Sequence, residues 1–371
     1  MQDNKYDIEV TATDNAGNST TQEITVTVTD IWEGNYMFET NPFSPYSAHE
    51  ISTAINIMPV RYGYLTKSGL FRNKGLTGRV AIVEENEGTF RISEAKPVGS
   101  QGQAVEGSNR RIRTFAVPHF PHDDHIAPAD VEGLRRFGGN TQESVTEYLN
   151  ERLQQHRTKH EITLEYLMIG ALKGQVMDGG GRVVADLWAE YGVAAQTMNF
   201  VLNNSATKVR TKAVELSRKI EDALMGDTKS GIEVLCSPEF FDALIEHGSV
   251  HAAYTATASA PGMIAEDLRN VGFKFGGVTF KEYRASAPNA AGAQTKFIEA
   301  GKARAYPLGT MDTFNLYAAP ADFNETIGTL GQLYYGKVEP AKFNRGYDLH
   351  SQFNPLPICL RPKSLFELSV Q

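Results

Sequence analysis

The chain has 371 residues, with 36 lysines and arginines against 44 aspartates and glutamates, a formal net charge of -8, and 41% apolar residues. The acidic balance excludes a protein that coats nucleic acid through a basic surplus, and the apolar share excludes a disordered tail. The length suits two or three domains, and no apolar run approaches the ~20 residues that span a bilayer. Cys236 and Cys359 are too few for a disulfide framework and read as buried thiols. With Met1 to Glu9 polar where a signal peptide would be apolar, a soluble, intracellular, multidomain protein is expected.

Residues 6–30 differ in character from the rest of the chain. Tyr6, Ile8, Val10 and Ala12 alternate with polar residues, as do Ile24, Val26 and Val28, and Asp14-Asn15-Ala16-Gly17-Asn18 between them carries turn chemistry. Residues 1–36 are therefore expected as an N-terminal β-hairpin. The stretch is similar to the last two strands of a cadherin-like or immunoglobulin-like repeat, which cannot bury a core alone.

Asn41-Pro42-Phe43-Ser44-Pro45 predicts an extended arm, followed by a short helix over Ala48–Asn56 and an apolar stretch ending at Tyr62-Gly63-Tyr64-Leu65. A β excursion comes next. Arg79–Val83 and Thr89–Ser93 are expected to pair around Glu85-Asn86-Glu87-Gly88, Pro97–Asn109 is Gly-rich, and Arg110–Val117 returns as a strand. So long an arm with little apolar material is expected to find its partners on another subunit. Arg110, Arg111 and Arg113 are the candidate contact residues, because a charged strand without interleaved aromatics suits an acidic neighbour better than nucleic acid.

Glu143–Gly174 carries the longest helical pattern, apolar at both ends and polar from Gln154 to His160, so its middle is expected to be solvated or to face a subunit. Asp178-Gly179-Gly180-Gly181 predicts a hairpin turn between Val176 and Arg182–Leu187, and lacks the Lys-Ser/Thr and following helix of a phosphate loop. Val209, Ala213, Leu216, Ile220 and Leu224 mark an amphipathic helix, and Glu233–Cys236 a short buried strand. Ser237-Pro238 opens a helix that Gly248 is expected to stop, and a helix over Met263–Asn270 and a strand over Val278–Tyr283 follow. These form a compact α/β region over about 203–320. Ser364–Val370 is expected as a half-buried final strand.

The densest chemistry is His119-Phe120-Pro121-His122-Asp123-Asp124-His125, whose imidazoles and carboxylates are the right ligands for zinc. Pro118, Pro121 and Pro128 hold the segment extended, which sends neighbouring ligands to opposite faces, so a solvated, turn-forming segment is expected in place of a metal site. His156 and His160, flanked by Arg157 and Lys159, are expected on a solvated helix face. No catalytic motif occurs, and neither an enzyme nor a cofactor is expected. A metal-dependent enzyme built on His119–His125 and a fragment of a cell-surface adhesin are the alternatives.

Arm, β excursion, long helix and α/β region in this order resemble the lambda-type major capsid protein E family of tailed phages. The carriers are Asn41-Pro42-Phe43-Ser44, Pro59-Val60-Arg61-Tyr62-Gly63, Arg110-Arg111-Ile112-Arg113, Phe137-Gly138, Gly170-Ala171-Leu172-Lys173-Gly174, Cys236-Ser237-Pro238-Glu239-Phe240-Phe241, Phe273-Lys274-Phe275-Gly276-Gly277, Asn354-Pro355-Leu356-Pro357 and Arg361-Pro362. The resemblance implies an α+β chain with the Hong Kong 97 phage capsid fold. Its parts would be an N-terminal arm (37–70), an E-loop (71–118), a P-domain (119–202 and 321–371) with a spine helix (143–174), and an A-domain (203–320). It also implies a structural protein of the virion that assembles in the bacterial cytoplasm as hexamers and pentamers of an icosahedral shell. That shell would enclose double-stranded DNA without sequence-specific binding or a membrane, with scaffolding, portal and decoration proteins as partners. Residues 1–36 have no counterpart in the family, and His122 and His125 stand where it has less polar residues.

Overall fold

A computed structural model describes residues 4–13, 19–28, 51–52, 55–56, 63–87, 109–131, 145–259 and 268–371. The chain divides into two compact units, Met1–Pro45 and Tyr46–Gln371. In the first, Asn4–Thr13 and Ser19–Val28 pair antiparallel, with Tyr6 opposite Val26 and Ile8 opposite Ile24. The expected turn at Asp14–Asn18 and the arm over 37–50 lie outside the described residues.

The second unit is built around one α-helix, Val145–Lys173, about 43 Å long at the standard rise. Against it lie two sheet systems. The large sheet has six strands in the order Phe273–Phe275, Val278–Glu282, Gly231–Cys236, Lys302–Leu308, Phe366–Ser369 and Gln196–Asn199. Helix Val209–Leu224 covers it with the predicted stripe Val209, Ala213, Leu216, Ile220 and Leu224, all buried beside Phe240, Phe273 and Phe280. The other system comprises two sheets of three strands. One joins Pro355–Cys359, Phe314–Ala318 and Arg72–Gly75; the other joins Tyr334–Pro340, Tyr347–Phe353 and Phe120–Ile126. Pro355–Cys359 and Tyr347–Phe353 both pack on the long helix. Cys236 and Cys359 are buried free thiols, and burial pushes the Cys359 thiol up to about 12.

Most elements in this part of the fold follow their signals, and the exceptions concern one helix end and two strand partnerships. Ser237 caps Pro238–Glu246 by accepting from the Phe240 N–H, as its sequence predicts, but Gly248 does not stop the chain's helical course. His247 turns extended and caps a second helix, Gly248–Ala258, accepting from the Ser249 N–H. Of the helix expected over Met263–Asn270, the described part is Leu268–Val271. The final strand, placed with the P-domain by resemblance, instead runs antiparallel to Lys302–Leu308 and parallel to Gln196–Asn199 inside the large sheet. Conversely, Phe314–Ala318, placed in the A-domain, pairs with Pro355–Cys359 and Arg72–Gly75. Strands buried on both faces, such as Phe314–Ala318, carry no face preference, so their partners cannot be read from periodicity.

Gly174 ends the long helix at φ 78, and a Cβ there would lie 2.2–2.5 Å from atoms of the Trp188 indole, whose Nε1–H donates to the Lys173 carbonyl. Positive φ and lack of space act together here. Gly174→Ala is expected to cost about 1–3 kcal/mol, the scale of overpacking, read as a lower urea midpoint. An unchanged midpoint would contradict the packing described.

Candidate subunit interface

Val80–Glu87 and Asn109–Ala116 form one antiparallel hairpin, with Val83 opposite Arg113 and Ile82 opposite Thr114. This corrects the pairing expected from sequence. Glu85–Glu87 continue the strand instead of turning, and the partner strand is the one that carries the arginines. Residues 88–108, which include the Gly-rich stretch, lie outside the described residues.

The hairpin has two unlike faces. Ala81, Val83 and Phe115 are buried, and the strand Asn109–Ala116 lies against Val183–Asp186 of the same chain. Arg113 shares this face. Its guanidinium sits 4.4 Å from the centre of the Tyr191 ring and donates to the Glu190 carbonyl at the end of helix Leu187–Tyr191. One of the candidate contact residues is thus held inside its own subunit. Arg111 is exposed, in register with Glu85, and Arg110 is in register with Asn86. The opposite face presents Val80, Ile82 and Ile112, which are 50%, 58% and 61% exposed. The apolar run Val80-Ala81-Ile82-Val83 is the signal for this, because a strand apolar on both faces is a strand to be covered on both.

From Phe120 on, the His119–His125 segment is a strand rather than a turn. Phe120–Ile126 alternates half-buried and exposed residues and pairs with Tyr347–Phe353. Neighbouring side chains point to opposite faces, as the prolines predict. His125 pairs outward with Asp348, while His122 and Asp124 point inward to the long helix. Among the described residues no group of three or more His, Cys, Asp or Glu is placed to hold a metal ion.

His156 and His160 correct a second expectation. They are 3% and 0% exposed, on a helix face that also buries Arg157, Glu161 and Glu165. His122 stacks on His160 with ring centres 4.5 Å apart, and Phe353 lies 5.2 Å away. Ser351 Oγ is 2.9 Å from His156 Nδ1 and 3.0 Å from His160 Nε2. A hydroxyl has one proton to donate and two lone pairs to accept with, so at most one ring can accept from it, and the Ser351 O–H is itself paired when the two rings take opposite roles. The network assigns them: His160 Nε2–H donates to Ser351 Oγ, and Ser351 O–H donates to His156 Nδ1. His156 Nε2–H then faces Asp124 Oδ2 at 3.7 Å. His160 Nδ1, which has no hydrogen-bond partner, is then a bare lone pair, and a proton there would have no acceptor. Burial pushes His156 down to about 4 and His160 well below the usual imidazole range, helped by the neighbouring imidazoles and Lys159.

Further along the same helix, Glu165 accepts from the backbone N–H groups of Tyr64 and Leu65 at 2.9 and 3.0 Å and from Tyr283 Oη at 2.9 Å. It thereby caps helix Tyr64–Ser68, and Gly63 leaves room for it, since a Cβ at that residue would lie 2.8 Å from Glu165 Oε2. Tyr64 Oη in turn donates to Glu233 Oε1 of the large sheet at 2.8 Å. Tyr306 Oη donates to the same oxygen at 2.5 Å, and Lys281 Nζ lies 2.8 Å from Glu233 Oε2. Neither Glu165 nor Glu233 stands out in the sequence, because a single carboxylate in an apolar run carries no spacing signal.

Comparison with known proteins agrees with this architecture. The chain belongs to the family described as phage major capsid protein E, whose model matches residues 47–370. It is similar to the major capsid protein of Pseudomonas phage KPP10, 29% identical over 329 residues, covering 85% of this chain and 94% of that one. It is also similar to the major capsid protein of Salmonella phage Felix O1, 28% identical over 351 residues, covering 86% and 95%. A solved prophage protein of E. coli CFT073, assigned there as a capsid protein, aligns with a TM-score of 0.57 at 14% identity. It covers 87% of this chain and 99% of that one, and the likeness shows the shared fold. The protein is thus a structural major capsid protein of a tailed phage, with the mixed α+β Hong Kong 97 capsid fold. The family match leaves out residues 1–46.

Because the unfolded imidazoles titrate near ~6.5, the unfolded chain takes up protons below that pH which buried His156 and His160 refuse. Stability is expected to be greatest above that value and to fall as pH drops toward 5. The double variant His156→Gln, His160→Gln is expected to be less stable at pH 8 but to lose most of the slope between pH 7.5 and 5.5, where carboxylates contribute little. Urea midpoints across that range test this, and a slope equal to wild type would contradict it.

Proposed function

We propose that the chain assembles with copies of itself as hexamers and pentamers of an icosahedral shell that encloses double-stranded phage DNA without reading its sequence. The acidic balance, a net charge of -8, supports this, because packaged DNA must slide and leave. No described helix is long and apolar enough to cross a membrane. The site of action is the virion, with assembly in the bacterial cytoplasm beside scaffolding, portal and decoration proteins. We assign 37–70 to the N-terminal arm, 71–118 to the E-loop, Val145–Lys173 to the spine helix of the P-domain, and the large sheet with its helices to the A-domain. The A-domain then takes in Gln196–Asn199 and Phe366–Ser369.

The observation that carries this reading is the outer face of the hairpin. Val80, Ile82 and Ile112 stand side by side on a strand pair whose other face is already buried on its own subunit. Clustered exposed apolar side chains on a rigid strand pair mark a contact surface. A neighbouring copy is the partner the family supplies. Arg110 on the returning strand supplies charge complementarity at its margin, whereas Arg111 alternates to the side of Arg113, which anchors the strand from behind.

Val80→Thr, Ile82→Thr, Ile112→Thr keeps β-branched side chains on exposed positions, so fold stability is expected to change by no more than about 0.5 kcal/mol per site. Shell formation, followed by sedimentation and electron microscopy, is expected to fail or to need much higher protein concentration. Wild-type assembly by the triple variant would contradict the assignment of this face.

A further inference from the structure

The hairpin Tyr334–Pro340 and Tyr347–Phe353 turns through residues 341–346, closed by the Ala341 N–H donating to the Gly346 carbonyl at 2.9 Å. At its apex Phe343 and Asn344 take φ of 63 and 55, both left-handed. Two successive positive φ values form a type I′-like turn, which glycine, asparagine and aspartate enter readily and a bulky aromatic does not. Asn344 fits its position; Phe343 does not. Nor does burial compensate, because the ring is 79% exposed. Lys342 Nζ and the Arg345 guanidinium stand 5.4 and 5.9 Å from the ring centre, and both residues are exposed. The monomer would fold better with asparagine or glycine at this residue.

We propose that Phe343, flanked by Lys342 and Arg345, is an anchor that inserts into an apolar, carboxylate-rimmed surface on a second copy of this chain; the proposal rests on the self-assembly reading above. Three observations select the partner. A tip that meets another tip would bring four cations together, so the contact is between unlike surfaces, the type that closes rings. The chain as a whole carries a net charge of -8, so a cationic tip is complementary to its own copies. The same chain also offers a matching surface: Ile327 and Leu330, 79% and 64% exposed, lie in one loop with Glu325 and close to Asp322, carboxylates that pair with Lys337 and Arg79 of their own chain yet stay 55% and 69% exposed, with lone pairs left to accept. An aromatic anchor with adjacent cations and an aliphatic pair with adjacent carboxylates fit as hot spot and receiving surface.

The test compares wild type, Phe343→Asn, Lys342→Glu with Arg345→Glu, and Ile327→Ser with Leu330→Ser, each as the full chain. Thermal unfolding of the unassembled subunit is expected to be unchanged or higher for Phe343→Asn, since the strained turn is relieved. The fraction sedimenting as shells is expected to fall by about tenfold, the effect of losing one anchor per contact. Charge reversal at the tip is expected to lower assembly most at low salt, and the loop variant to lower it without adding to the loss in a chain that also carries Phe343→Asn. Normal shells from Phe343→Asn would overturn the anchor. A loss from Phe343→Asn with none from the loop variant would overturn the assigned receiving surface. If wild type forms neither shells nor capsomers, the self-assembly reading fails, and the second copy as partner fails with it.

Discussion

The structure depends on one helix turning its polar side chains inward. His156, Arg157, His160, Glu161 and Glu165 lie on the buried face of Val145–Lys173, where an unpartnered charge would be severely destabilising. Glu161 is met by Arg157 one turn away on the same helix, and the other four are met by groups from distant parts of the chain. Ser351 comes from the strand Tyr347–Phe353, the Ile55 carbonyl and the Tyr64 and Leu65 amides from the segment before the hairpin, and Tyr283 from beside the large sheet. Hydrogen bonds are directional, so the helix holds these elements in one register in a way that apolar packing, tolerant of sliding, would not. Glu233 extends the same network into the large sheet through Tyr64, Tyr306 and Lys281.

This distribution bears on function. A set of polar groups is buried inside the subunit, while the large apolar side chains exposed among the described residues include the hairpin face with Val80, Ile82 and Ile112, the loop with Ile327 and Leu330, and the tip at Phe343. Isolated exposed apolar residues are ordinary on any surface. These share a strand face, a short loop or a disfavoured backbone conformation, and so call for a partner. A subunit that is rigid within and sticky at defined places suits assembly from many identical copies, since geometry that varied from copy to copy would not close a shell.

Much of the fold was legible where one periodicity dominates. The stripe on Val209–Leu224 and the Ser237-Pro238 helix start needed only the local pattern. The long helix was legible in extent but not in environment. Gln154–His160 looks solvated because polarity is normally a surface signal, and the side chains that satisfy it come from some 190 residues downstream at Ser351. Strand partnership was the least legible feature. Glu85–Glu87 carries turn-like composition yet stays extended because Asn109–Arg111 pairs with it. Phe366–Ser369 was correctly expected as a strand, but its pattern says nothing of which sheet it joins. At the interface, the arginines were visible as charge, whereas Arg113's packing under Tyr191 depends on a helix some 80 residues away. The apolar outer face was written in the run Val80–Val83, where the charges of the returning strand mask it.

If the exposed apolar side chains are contacts between copies, an electron cryo-microscopy map of assembled particles tests this most directly, because it places every copy at once. Val80, Ile82 and Ile112 should be covered by a neighbouring subunit while the long helix keeps its buried polar face unchanged. A map in which these residues face solvent, with neighbours meeting through other surfaces, would contradict the assignment.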